Sequence, residues 1–351
     1  MQRVCGENEF NVGVIGLDHG HIFGMCNGLS EAGATIKSAW DPDPAKVEAF
    51  RGAFPTAQIV PAPDFIYDDP AIKLIATAAI PCDRGRIAEK ALLCGKHVFS
   101  DKPGFTTLQH LERVKAAVAA TRLRYGIYFS ERLHVEAATY ADYLIKRGDI
   151  GRVIQTIVLG PHRLNAPSRP SWFFDKAQYG GIITDIGCHQ IEQILYYCGA
   201  ADAEIAYSRV SHYRGPEFPG FEDFGEASLR CDNGASGYFR VDWFTPEGLS
   251  AWGDGRTIIL GTEGYIELRK YVDIARFDHG DSVYMANKDG EFYFDARNTL
   301  GYPFFGKFIR DCMDGTEHAM AQDYIFKVME LALRAEEMAS NQREDAAVAG
   351  K

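Results

Sequence analysis

The sequence predicts a two-domain α/β protein, with an N-terminal Rossmann-type doubly wound parallel sheet followed by an α/β domain built on a large, open, mainly antiparallel sheet. Three observations carry this. The 351 residues exceed one ordinary core and suit two. From residue 10 to about 130, short apolar runs alternate with helix-like stretches, the rhythm of a buried parallel sheet covered on both faces. Beyond residue 131, long β-like runs follow one another with only turns between them, which predicts antiparallel pairing.

In order, the first-domain runs are FNVGVIG (10–16), TIKSAWD (35–41), LIATAAI (74–80), HVFS (97–100) and YGIYF (125–129). Between them lie PAKVEAFRGAF, RGRIAEKALLCG and LQHLERVKAAVAATR, the last preceded by Thr106 and Thr107 as N-cap candidates. The second domain opens with a helix (VEAATYADYLIKRG), the strand RVIQTIVLG, a Pro-rich loop and a helix over 184–198. The strand-like runs AEIAYSRVSHY, GEASLRCD, ASGYFRVDWF, RTIILGTEGYIELRKY and SVYMANKDGEFYFD follow, with KDG as a hairpin turn. Helical FFGKFIRDCMDG and YIFKVMELALRAEEMAS close the chain. The expected boundaries are a tail over 1–9, a first domain over 10–130, a second domain over 131–340 and a frayed polar tail over 341–351.

A formal net charge of −11 argues against nucleic acid or an anionic membrane as the main partner. The eight cysteines are scattered, without C-x-x-C pairs or zinc spacing, which fits a reducing compartment. No signal-like core or membrane-length apolar stretch occurs, so the expectation is a cytoplasmic protein. No metal site is expected, because His19, His21 and His189 fall on elements with other roles.

The first run leads into GVIGLDHGHIFGM. A glycine turn between strand and helix lets backbone N–H groups approach a pyrophosphate, and the helix dipole favours it there. Gly16 and Gly20 supply glycine, whereas Asp18 and His21 stand where G-x-G-x-x-G would place glycine. Asp18 brings negative charge, while His19 and His21 can donate hydrogen bonds. Asp41 closes the second run, where a carboxylate can accept the adenine ribose hydroxyls and repel a 2′-phosphate. With Asp43 nearby and no arginine at once after it, the turn favours NAD over NADP, although DPDP also suits a turn that caps a helix.

The fifth run enters DKPG, placing Asp101 and Lys102 at a strand end where such sheets bind ligands. In the second half, Asp185 and His189 stand at i and i+4 on one helix face. An acid, a histidine and a lysine can move a hydroxyl proton while hydride leaves the same carbon; a structural ion pair would look the same. Trp172, Phe173 and Phe174 could wall a sugar or anchor packing. His162, Arg163 and Arg169 are candidates for substrate hydroxyls, and Cys188 reads as a small buried hydrophobe.

These residues resemble the Gfo/Idh/MocA oxidoreductases, the glucose–fructose oxidoreductase and inositol dehydrogenase group. The match rests on GVIGL, Asp41, AEKALLCGKHVFSDKPG, GDIGRV (148–153), GGIITDIGCH and ILGTEGYIEL. The resemblance implies NAD(P)-linked interconversion of a secondary alcohol and a ketone on a sugar, cyclitol or polyol. It also implies a homodimer or homotetramer formed through the second-domain sheet. Lys102 takes the place of the lysine in the family's E-K-P motif, which implies contact with both substrate and cofactor, with Asp101 and Pro81 on the cofactor side, and Asp185 and His189 match its acid and histidine. His189 or Lys102 would handle the proton, and Arg132 in YFSERL would touch substrate. Three departures stand out: Asp18 for glycine, D-K-P for E-K-P, and IPCDRG, with Pro81 kept but Cys82 and Gly85 replacing asparagine and histidine. Relatives also include glycosidases that oxidise transiently and non-catalytic ligand sensors, which are the alternative functions.

Overall fold

The computed structural model describes residues 3–214 and 217–349. The chain divides into two compact units. The first comprises residues up to Tyr128 together with Tyr302–Phe326, and the second comprises Phe129–Gly301 and the chain from Lys327 onward. A single boundary near residue 130 therefore omits a return: the FFGKFIRDCMDG helix, expected in the second domain, completes the first.

In the first unit, β1 (Asn11–Ile15), β2 (Thr35–Trp40), β3 (Gln58–Ile59), β4 (Ile72–Thr77), β5 (His97–Asp101) and β6 (Tyr125–Tyr128) form a six-stranded parallel sheet in the order β3-β2-β1-β4-β5-β6. Two-residue β3 is too short for periodicity to reveal. The order reverses between β1 and β4, the switch point at which such sheets open a crevice. Helices α1 (His21–Glu31), α2 (Pro44–Ala53), α3 (Asp64–Tyr67), α4 (Pro81–Leu93) and α5 (Leu108–Thr121) connect the strands. In DPDP, Asp43 caps α2 by accepting the Ala45 N–H, with Pro44 at the first helical position, while Asp41 is buried. Thr107 caps α5 by accepting the His110 N–H.

The second unit begins with α6 (Ser130–Leu133) and α7 (Glu136–Arg147). Its strands are β7 (Val153–Pro161), β8 (Ala203–Ser211), β9 (Phe224–Cys231), β10 (Ser236–Asp242), β11 (Arg256–Gly261), β12 (Gly264–Arg269), β13 (Ser282–Asn287) and β14 (Gly290–Asp295). They form one eight-stranded sheet ordered β14-β13-β12-β11-β7-β10-β9-β8, antiparallel except where β10 runs parallel to β7. β13 and β14 make the predicted hairpin, closed by Gly290 at φ +138°. After short α8 (Lys176–Tyr179), the expected 184–198 helix is two pieces, a π-helical turn at Ile183–Gly187 and α9 (Cys188–Cys198). Helix α9 lies on β7 and β10, close enough that Gly237 is required: a Cβ there would stand 2.4 Å from Ile194.

Helices α10 (Pro303–Asp314) and α11 (Gln322–Ala349) end the chain. In the first unit, α10 seats Phe304, Phe305 and Phe308 around Phe99 of β5. Helix α11 continues through most of the segment expected to fray; Gly350 and Lys351, the last of that expected tail, lie outside the described residues, as do Met1 and Gln2. Among the described residues no helix is long and apolar enough to cross a membrane, and no disulfide joins any of the cysteines.

Candidate active site

The nucleotide side is built on the strand ends of the first unit. A groove of about 510 Å³ opens there, lined by Gly16, Asp18, Asp41, Ile80 and their neighbours. Gly16 adopts φ +84°, and a Cβ would lie 2.5 Å from that of Ala79, so only glycine lets the loop run this close to β4. Gly20 precedes α1 and faces open space, which leaves room at the helix N-terminus for an anion. Asp41 is buried, and its two oxygens accept the N–H groups of Leu17 (2.7 Å) and Asp43 (2.8 Å). Each oxygen keeps a lone pair for a ribose hydroxyl. These features fit a dinucleotide: a close glycine turn, an open helix start and a strand-end acid.

The departures from the usual fingerprint are accommodated locally. Asp18 pairs with Lys46 of α2 at 2.5 Å and accepts the Ile80 N–H at 3.2 Å, so the loop carries an ion pair rather than a lone anion. Pro81 is the first residue of α4. Gly85, one turn on, lets α5 approach: a Cβ would meet His110 at 2.6 Å.

Asp101 organises the end of β5. Its Oδ1 accepts the Lys102 N–H and contacts His21 Nδ1, both at 2.8 Å, while its Oδ2 takes Arg84 at 3.1 Å. Burial opposes its charge, yet His21 and Arg84 hold its carboxyl well below the usual range. With the Asp101 carboxylate as acceptor, His21 Nδ1 is the donor of that contact. His19 Nδ1 lies 3.2 Å from the His21 N–H and 3.4 Å from Asp101 Oδ2, and burial and then His21 hold its pKa well below normal. His19, His21 and Asp101 lie close enough to be considered as metal ligands. Arg84, itself buried, already neutralises the one carboxylate, and a backbone N–H occupies His19 Nδ1, so the set is better described as a hydrogen-bond network. Arg84 also donates to the carbonyls of Ala79, Lys102 and Pro103. Buried Lys102 thus has its main chain fixed from both sides, and its side chain is what the turn presents.

The second unit supplies the remaining candidates. Asp185 sits on the π-helical turn and His189 on the first turn of α9, both buried. Such turns are rare and cluster at functional sites. His162 is held between Trp243 and Trp252, with ring centroids 5.3 and 4.4 Å away.

Three expected substrate contacts have other work. Arg132 donates to Glu192 from Nε at 2.7 and 2.9 Å and lies 3.6 Å over the Tyr196 ring, so its guanidinium braces α6 against α9. Arg163 spends one guanidinium nitrogen on the carbonyls of Pro246, Leu249 and Ala251 and pins that loop. Trp172 is buried beside Phe173, which belongs to a cluster with Tyr179, Phe221 and Trp243, a packing role. Arg169 lies over Phe173 and Trp243.

Sequence reasoning missed a buried trio. Glu131 Oε2 accepts from Lys270 Nζ and Gln190 Nε2, both at 2.9 Å. Burial opposes the Glu131 charge, but Lys270, followed by His189 and His162, holds its carboxyl well below the usual range. Glu131 Oε1 and Gln190 Oε1 are buried acceptors that meet no donor among the described residues. The one available signal was ionisable Glu131 beside Arg132 at the end of β6.

The comparisons with known proteins agree on one family. Residues 10–129 match "Oxidoreductase family, NAD-binding Rossmann fold", and residues 139–267 match "GFO/IDH/MocA C-terminal domain". A crystal structure of a provisionally assigned oxidoreductase from Erwinia carotovora atroseptica SCRI1043 is 47% identical, with a TM-score of 0.92 over 94% of this chain and 99% of that one. A D-xylose dehydrogenase from Paenarthrobacter nicotinovorans is 27% identical over 133 residues, 36% of this chain and 34% of that protein. A scyllo-inositol 2-dehydrogenase (NAD(+)) from Bacillus subtilis strain 168 is 24% identical over 266 residues, 74% of each. The match thus spans about a third of the D-xylose dehydrogenase.

Proposed function

Because the chain belongs to the Gfo/Idh/MocA family of oxidoreductases, we propose that it is an NAD-dependent dehydrogenase interconverting a secondary alcohol and a ketone on a sugar, cyclitol or related polyol. The observation that carries the reading is Lys102: it is 5% exposed, stands at the carboxyl end of β5, and is held there by Asp101 and Arg84. Burying a lysine is costly unless its charge is used. Relatives that act on D-xylose and scyllo-inositol support the substrate class.

NAD, when bound, supplies the acceptor for hydride leaving the alcohol carbon. The hydroxyl proton passes to His189 or to Lys102, and Asp185 is the acid paired with this chemistry. Asp41 favours NAD, and Lys46, an α2 cation beside this turn, is committed to Asp18. The test is NADH formation across a panel of sugars and cyclitols. Lys102→Ala should lower kcat by about 10²-fold or more. A variant with full activity, or turnover without net NADH, would overturn the assignment. The pH–rate profiles of His189→Asn and Lys102→Met show which group takes the proton.

The chain also acts as a homodimer or homotetramer through the outer face of its second sheet. That face carries Tyr207, Leu260, Tyr265 and Tyr293, all at least 36% exposed, alongside half-buried Ile157 and Ile258. Light scattering should give a dimer or tetramer mass, and Leu260→Lys with Tyr265→Glu should reduce it to that of a monomer.

A further inference from the structure

The second unit holds a polar cluster that the proposed chemistry does not use. Glu222 and Glu336 are both buried, and Lys176 Nζ bridges them at 2.5 and 2.6 Å. Each carboxylate's other oxygen accepts a backbone amide: Glu222 Oε2 takes Ile182 N–H, and Glu336 Oε2 takes Ile183 N–H, both at 3.0 Å. These amides begin the helical segment that carries Asp185 and His189. The next link is direct, because Asp185 N–H donates to Gly181 O at 2.8 Å. Gly181 has φ +94° and packs flat on the Glu336 carboxylate, where a Cβ would come within 2.2 Å.

We infer that Glu222, Lys176 and Glu336 form a carboxylate clamp that positions Asp185 and His189 for the proposed reaction. Two carboxylates at the start of a helical segment meet amides that have no partner within the helix, and the dipole favours their charge. Lys176 offsets one of the two charges and, being partly exposed, connects the clamp to solvent. The pair therefore shares a site in which only one charge is matched, the condition under which one carboxyl keeps its proton. Consistent with this, burial and then Glu222 push the Glu336 carboxyl up to about 7. The groups facing it are Glu222, Lys176 and the Tyr179 phenol, which burial and the same two glutamates push well above its normal value. Ser340 Oγ completes the Lys176 shell at 2.7 Å. The three clamp residues are positioning residues; none is assigned a contact with substrate.

This inference rests on the dehydrogenase reading for its purpose, but its test can be read without substrate. Hydrogen exchange is followed on the full chain at the amides of residues 182–185 from pH 5.5 to 8.5. In the wild type, protection should step near pH 7. Glu336→Gln should abolish the step and lower protection of Ile183 at least tenfold, and Lys176→Met should also lower it. In turnover, Glu336→Gln should lower kcat about tenfold with the Kd for NAD unchanged, since the nucleotide residues belong to the first unit. Unchanged protection in both variants, or a step near pH 7 that persists in Glu336→Gln, would overturn the clamp whatever the substrate screen returns.

Discussion

Asp41 ties the glycine turn to β2 through Leu17 N–H, and in the proposed complex its remaining lone pairs would meet the ribose. Asp41→Ala removes both, so the Kd for NAD should rise at least about tenfold, equivalent to about 1.4 kcal/mol. The preference over NADP should narrow in the same fluorescence titration. The strand-end positions of Asp41 and Lys102 were legible in the sequence, because strand ends are set by local apolar runs. Arg132 and Arg163 were misjudged because a guanidinium is available to substrate only if nothing nearer claims it. Glu192 lies 60 residues away and the claiming carbonyls more than 80, which no local pattern reveals. Glu131, Gln190 and Lys270 were hidden for the same reason, since their pairing exists only once α6, α9 and the end of β12 converge.

At the scale of elements, the helix pattern located α1 but not the reason for its glycine. Gly28 faces Phe305 of α10, and a Cβ would lie 2.3 Å from that ring. Alanine gains about 1 kcal/mol in helix propensity, but overpacking a filled core costs about 1–3 kcal/mol. Gly28→Ala should therefore lower the thermal midpoint, measured by circular dichroism. Similarly, β5 begins with His97, whose Nδ1 accepts the Arg124 N–H at 2.9 Å beside β6. Burial, then Arg124 and Lys73, lowers its pKa to about 4 from the usual 6.5. A depressed histidine contributes stability that is present above its unfolded pKa and is lost as pH falls through its folded one. Between pH 6.5 and 4 the loss should be on the order of 2 kcal/mol, allowing for partial exposure. Urea denaturation of His97→Gln should show a flatter acid limb across that window. The π-helical turn escaped the sequence reading because apolar spacing alone does not distinguish one extra residue in a turn from a continuous helix.

Across the whole molecule, the alternation of apolar runs predicted both sheets, but not the return of the chain to the first unit. That return is substantial. Phe304, Phe305 and Phe308 surround Phe99, and Gln322 exchanges two hydrogen bonds with the Tyr125 backbone, at 2.9 and 3.0 Å. A fragment ending at Tyr128 leaves these groups without their cover, so it should bind a hydrophobic dye and aggregate, whereas the same fragment joined to 302–326 should remain monodisperse by gel filtration. The return also has a consequence for synthesis. On the ribosome, the nucleotide-binding unit emerges first yet cannot finish until residue 326 has been added. At roughly 5–20 residues per second, nearly 200 further residues take on the order of 10–40 s. Throughout that interval an almost complete parallel sheet waits with its aromatic flank bare, which makes the nascent chain, rather than the finished protein, the form most in need of a chaperone.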